Sequence, residues 1–297
     1  CLQPGDRLAT GQVLDPAKMP ANLEQLIRDV SERAGYQQRK QEYAEFNAGS
    51  RDIKRGIGIA VTFRGAGLGG EGIDTAGATI TIEPDGSVNI QSGLIEMGQG
   101  MRTAHAQIAA EVLGIGLERI TFSTSDTSLV MDGGPTVASR GTLAGGRAML
   151  DAAERLQLRL KAVAAAALEC GAEEIVIREG RYCRQNSPRQ SDRPPGFSLD
   201  ELITKAYREQ GLSLSAQGWY NPGPEPLDHH TGQGNAYPSY IFGAAMPELR
   251  VDQHTGKITV EKVTLAYESG LAIKPKMVEG QIDGGLQQGL GYGLYDE

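Results

Sequence analysis

Residues 77–93, GATITIEPDGSVNIQSG, admit few alternatives to an antiparallel hairpin. Thr and Ile alternate before the Asp85-Gly86 turn, alternation resumes after it, and glycine can take the positive φ that a tight turn needs. β-Branched residues at a period of two bury one face and leave the other wet. Such a hairpin needs a covering layer for its apolar face. The sequence offers one at once: GLIEMGQG, Gly93 to Gly100, leads straight into a helical pattern over Met101–Leu113.

The same device, a strand followed by a glycine-rich loop and a helix, occurs again. RITFSTS (119–125) reads as a strand, the polar loop DTSLVMDGGPTVASRGT follows, and a long helix is expected over 143–168. Around these lie a helical stretch at 21–47, a buried strand KRGIGIAVTF (54–63) and a small hairpin EEIVIREGRYCR (173–184). Ser198 and Glu201 have capping-box spacing and open a helix that ends at Gly211. A strand then precedes the loop NPGPEPLDHHTGQGN, and two long strands, 237–252 and 257–269, flank a turn at His254-Thr255-Gly256. A glycine-spaced helix over 276–297 closes the chain, and NSPRQSDRPPG (186–196) is a surface loop. This mixed order predicts an α+β fold, with mixed sheets and helices packed on one face. The expected division is a helical lead-in at 1–50, a first subdomain at 51–170 holding both glycine-rich loops, and a second at 171–297.

Both loops are candidate ligand sites. Glycine lets a backbone approach a ligand closely, and the first amides of a helix are ready to receive an anion. In the first, Gly98, Gln99 and Gly100 place an amide side chain, donor and acceptor together, at the helix start. In the second, Ser139, Gly141 and Thr142 bring hydroxyls and amides to a helix start and Arg140 adds positive charge, a set suited to a diphosphate. The bland readings are a tight turn and a Ser/Thr helix cap. Two such loops in one chain point towards an extended anionic ligand.

Other chemistries find no support. GAGLGG (65–70) is followed by a hairpin and not a helix, so it is no Rossmann turn. His105, His229, His230 and His254 form no metal-ligand pattern, and Cys1, Cys170 and Cys183 form neither a disulfide framework nor a metal set. A net charge of −8 argues against nucleic-acid or anionic-membrane partners, and no apolar run is long enough to span a bilayer. A cytoplasmic location is the expectation. The chain opens without methionine and reads as one entered part-way through a domain.

Taken in order, RKQEYAEFN, KRGIGIAVTF, PDGSVNIQSGLIEMGQGMRTAHAQIAAEVLGI, GPTVASRGTLAGGRAM, GNAYPSYIFGAAMPELRVDQHTGKI and VEGQIDGGLQQGLGYGLYDE resemble the molybdenum-binding subunit of the xanthine dehydrogenase/aldehyde oxidoreductase family. The resemblance covers about residues 35–297. It implies oxidative hydroxylation of an N-heterocycle or aldehyde, with molybdopterin, as the cytosine dinucleotide in bacterial members, carrying the metal through its dithiolene sulfurs. No protein ligand to molybdenum is then expected. It further implies Fe–S clusters and FAD on partner subunits or domains, the remainder of the molybdenum subunit, and dimerisation. Carried over, Gln99 is the glutamine that hydrogen-bonds near the metal, with Gly98 and Gly100 beside the pterin. Ala138, Ser139, Arg140, Gly141 and Thr142 form the loop that holds pterin and diphosphate.

Two departures qualify it. The family's base glutamate follows the GQxxGGxxQG helix, beyond Glu297, so the isolated chain is expected to be inactive. Purine-hydroxylating relatives have Phe-Thr where this sequence has Ile59 and Ala60, which removes an aromatic wall and a hydroxyl donor from the substrate pocket and disfavours xanthine. The rival expectations are a non-catalytic carrier of the same cofactor, and a scaffold that uses the glycine-rich helix for packing.

Overall fold

The computed structural model describes residues 5–15, 23–123, 126–187, 196–223 and 227–295. Along the chain come α1 (Leu23–Ala34), α2 (Tyr36–Gly49), β1 (Ile53–Ile57), β2 (Ala60–Ala66), β3 (Ala76–Ile82), β4 (Val88–Ser92) and α3 (Met101–Leu113). They are followed by β5 (Ile120–Phe122), α4 (Arg140–Leu168), β6 (Ile175–Arg178), β7 (Arg181–Arg184), β8 (Phe197–Ser198), α5 (Leu199–Thr204) and β9 (Ser215–Tyr220). The chain ends with β10 (Leu227–Asp228), β11 (Gln233–Gly234), β12 (Ser239–Asp252), β13 (Ile258–Tyr267) and α6 (Pro275–Leu294).

The fold is α+β, as expected, but its division is not. One unit is the continuous stretch Gly72–Gly223, and the residues on either side of it form the other. The expected breaks near residues 50 and 170 fall inside units, because the pairing is non-local. β1 and β2 both pair with β12, far along the chain: Ile53 lies opposite Asp252, and Ala66 opposite Ser239. β9 pairs with β3, so the segment after residue 170 belongs with the hairpin.

The inner unit holds a mixed four-stranded sheet in the order β5-β4-β3-β9, with β4–β5 parallel and the other pairs antiparallel. The period-two pattern comes out as read: Ile80, Ile82, Val88 and Ile90 are fully buried together. Glu83 and Ser87 close the turn, Gly86 takes φ +88°, and the Asp85 carboxylate accepts from Ser87 N at 2.9 Å and Ser87 Oγ at 2.6 Å. The covering layer is α3 and α4. Ala144, Ala148 and Ala152 form a small-residue face on α4, and Gly218 of β9 meets it. A Cβ on Gly218 would lie 2.2 Å from Ala148 O, so only glycine lets helix and strand come this close. The smaller sheet β6-β7-β8 leads into α5, where Ser198 and Glu201 make the expected capping box.

In the outer unit, β12 lies between β13 and the β1/β2 pair. The strand expected at 54–63 is two strands, broken where Gly58 N turns to Pro247 O at 3.1 Å. Phe63, Tyr240 and Phe242 stack over α1, whose Leu23, Leu26 and Val30 complete this second core. His229 and His230 are exposed in the short hairpin of β10 and β11. α6 has no buried residue. Among the described residues, no helix is long and apolar enough to cross a membrane. The loop expected at 186–196 falls mostly outside the described residues.

Candidate functional site

β4 ends at Ser92, and the chain then runs through Gly93–Gly100 into α3; the loop after β5 runs into α4. Sequence alone left these loops 40 residues apart, and the structure packs them together. Ile95 N donates to Thr136 Oγ1 at 3.0 Å. A Cβ on Gly93 would lie 2.1 Å from Met131 O and 2.7 Å from Gly133 N, so the backbones touch where the first loop starts. At the helix starts, Gly141 lies against Met101, and His105 Nε2 meets Gly141 O at 3.0 Å. A carbonyl only accepts, so His105 carries its proton on Nε2. Its Nδ1 has no partner among the described residues. Burial lowers the pKa of His105, against weaker opposing pulls from the Gly141 carbonyl and Glu96, and the ring stays neutral. Gly145, inside α4, makes room for it: a Cβ there would meet the ring at 2.9 Å.

The first loop differs from its expected form in one respect. Two amides ahead of α3 and one in its first turn are not waiting for an anion, because Glu96 takes them. Its carboxylate accepts from Gly98 N at 2.8 Å, Gly100 N at 2.9 Å and Arg102 N at 2.9 Å. Partial burial pushes its pKa up, but the three amides and the Arg102 charge outweigh this and hold the carboxyl below its ordinary value. Because the folded pKa is depressed, the cap is fully present above the unfolded value and is lost as pH falls through the folded one. We expect the Gly98 and Gly100 amide proton resonances to stay constant from neutral pH down to the ordinary glutamate value of 4.5 and to move upfield only below it. Movement above that pH would show that the carboxylate does not cap the helix.

Gln99 is half-buried. Its Oε1 accepts from Met97 N at 2.5 Å and its Nε2 donates to Ile95 O at 2.8 Å. Among the described residues, one acceptor lone pair and one N–H of its amide are left unused.

The second loop also corrects an expectation. Arg140 does not offer its charge outward. Its side chain is fully buried, with Nε donating to Asp74 Oδ1 at 2.7 Å, Nη1 to Pro135 O at 2.6 Å and Nη2 to Thr75 O at 2.6 Å. Only its backbone stays with the loop, because an arginine beside a buried carboxylate is drawn inward by the pairing. α4 begins here, at Arg140, three residues before the expected start. Just ahead of it, Ala138 (φ 53°) and Ser139 (φ 62°) are both left-handed, a conformation costing roughly 1–2 kcal/mol for each non-glycine residue. Such strain persists only where neighbours over-determine it, and here the Arg140 clamp does so. Ser139 and Thr142 are exposed and Gly141 half-buried.

Ile59 and Ala60 belong to the outer unit, at the break between β1 and β2, and both are exposed there. Sequence reasoning missed Glu96, Asp74, Thr136 and His105. Only Glu96 had a readable signal, a carboxylate just ahead of two glycines and a helix start. Among the described residues, no three His, Cys, Asp or Glu side chains are gathered as a metal ion would need. What the paired loops present is hydrogen-bonding backbone, two hydroxyls and one amide. Ile95, Met97 and Val137 of the same loops are exposed.

The chain matches the molybdopterin cofactor-binding domain family over residues 29–297. It is 30% identical to xanthine dehydrogenase 2 of Arabidopsis thaliana over 93% of this chain and 18% of that protein. It is 28% identical to the xanthine dehydrogenase molybdenum-binding subunit of Escherichia coli O157:H7, over 83% of this chain and 31% of that one. Among solved structures, quinoline 2-oxidoreductase from Pseudomonas putida 86 superposes with a TM-score of 0.81 at 25% identity, covering 97% of this chain and 35% of that one. Aldehyde oxidoreductase from Desulfovibrio desulfuricans gives 0.74 at 27% identity, over 98% and 28%. The chain therefore spans between 18% and 35% of the length of these relatives.

Proposed function

Since the chain belongs to the molybdopterin cofactor-binding domain family, we propose that it is the cofactor-holding part of a molybdenum hydroxylase acting on an N-heterocycle or an aldehyde. The packing of its two glycine-rich loops into one site carries this reading. When bound, the molybdenum cofactor supplies the oxygen transfer and accepts the electrons. The chain's own share is binding and orientation. The backbone and hydroxyls of Ala138, Ser139, Arg140, Gly141 and Thr142 would hold the pterin and the diphosphate of a cytosine dinucleotide. Gly98 and Gly100 would lie beside the pterin, and Gln99 would use its remaining donor and acceptor on the oxygen ligands of the metal. Ile59 and Ala60 offer a substrate neither an aromatic wall nor a hydroxyl, which favours substrates other than xanthine. Electrons would leave through Fe–S clusters, with FAD further along, on partner subunits or domains.

The test is the native complex that contains this chain: about one molybdenum and one pterin dinucleotide per chain are expected, and neither being present would refute the reading. Within that complex, Gln99→Ala should lower activity or molybdenum occupancy by about 10–100-fold, the usual cost of losing a group that orients a metal's ligands. Wild-type values of both would remove Gln99 from the site.

A further inference from the structure

Glu96 sits where an anionic ligand would sit at the start of α3. One carboxylate oxygen holds the amides of Gly98 and Gly100, and the other holds the amide of Arg102. Gln99 lies between the first two, and its side chain closes back on Ile95 O and Met97 N. The backbone carrying Gln99 is thus pinned on both sides by a single carboxylate. A phosphate brought to this helix start would meet a like charge, and would find the Arg102 amide and the two loop amides before it already taken.

Resting on the reading that Gln99 faces the cofactor, we propose that Glu96 is the positioning residue of this loop: it fixes the backbone from which Gln99 projects and reserves the start of α3 for an uncharged, hydrogen-bonding part of the ligand. The phosphates are thereby left to the Ala138–Thr142 loop.

The experiment compares wild type, Glu96→Ala and Glu96→Gln in the cofactor-loaded complex that carries this chain. It reads molybdenum and pterin retained after prolonged dialysis, and amide hydrogen exchange in the same protein stripped of cofactor. Glu96→Ala should speed exchange at Gly98, Gly100 and Arg102 by about tenfold, the scale of a lost helix cap, with β3 and β4 unchanged. Retained cofactor should fall to roughly half or less, because the loop would no longer be preorganised. Glu96→Gln keeps one oxygen for Gly98 and Gly100 and loses the bond to Arg102, so it should fall between. Inorganic phosphate added to stripped wild type should leave the Gly98 and Gly100 amide resonances where they are.

Faster exchange with undiminished cofactor would make Glu96 a helix cap and nothing more, overturning the proposal. Unchanged exchange would overturn it too, as would a phosphate-induced shift at those two amides in wild type. A wild-type complex without molybdenum or pterin would instead refute the functional reading beneath it, and the wild-type value tells the two failures apart.

Discussion

Asp74→Ala is expected to destabilise the Gly72–Gly223 unit by about 3–5 kcal/mol, the cost of leaving a buried charge without its partner. Arg140 is fully buried, and its guanidinium bridges the Asp74 carboxylate and the carbonyls of Thr75 and Pro135. Without the carboxylate, that cation has no counter-charge and no route to water. For a unit of this size, the loss corresponds to a fall in melting temperature of about 6–20 °C. Urea denaturation of wild type and variant checks the figure. The double variant Asp74→Leu with Arg140→Met removes both charges and should recover much of the loss, since apolar replacements of a buried pair are often near neutral. It should nevertheless lose cofactor, because Ala138 and Ser139 would no longer be held left-handed. A double variant as unstable as Asp74→Ala would show that the backbone bonds of Arg140, and not its charge, decide the effect.

The second large effect is expected at Gly93. Its missing Cβ is what allows the first loop to lie on the second, with Met131 O only 2.1 Å from where that atom would be. Gly93→Ala forces two backbones apart, and backbone retreats less readily than a side chain. Overpacking of this kind costs about 1–3 kcal/mol. The functional cost should be larger, because the Ile95–Thr136 bond breaks and the two helix starts no longer share one site. Gly211→Ala, in the same unit and away from both loops, is the control. A Cβ there meets nothing within 4 Å, and only its φ of +63° resists substitution. Molybdenum content of the assembled complex, measured beside urea stability, separates the two. Equal loss of cofactor in both variants would mean that loop packing is not what builds the site.

Legibility followed the range of the interactions. The hairpin at 77–93 could be read because its side-chain period and its turn are local properties of consecutive residues. So could the capping box of Ser198 and Glu201 and the long face of α4. The candidate residues in both loops were found from glycine spacing beside a helix start, which is again local. The unit boundaries could not be found this way. They depend on β12 recruiting strands from the far end of the chain, and a strand's sequence states how it alternates without stating which partner it takes.

The roles of charged groups were read least well. Glu96 was overlooked, and Arg140 was taken as a ligand-facing cation. Glu96 is satisfied locally, by amides two to six residues further along the chain, whereas Arg140 is satisfied by Asp74 and Thr75, which only folding brings near, and by the neighbouring Pro135 carbonyl. By itself, then, the sequence determined the α+β class, the family and the two loops, because these rest on side-chain period and on the conformational freedom of glycine. The tertiary structure alone decided that the loops pack together, which of their charges are spent inside the protein, and where the units divide. Hydrogen bonds and ion pairs are settled by distance in space, and that distance is set only when the chain closes on itself.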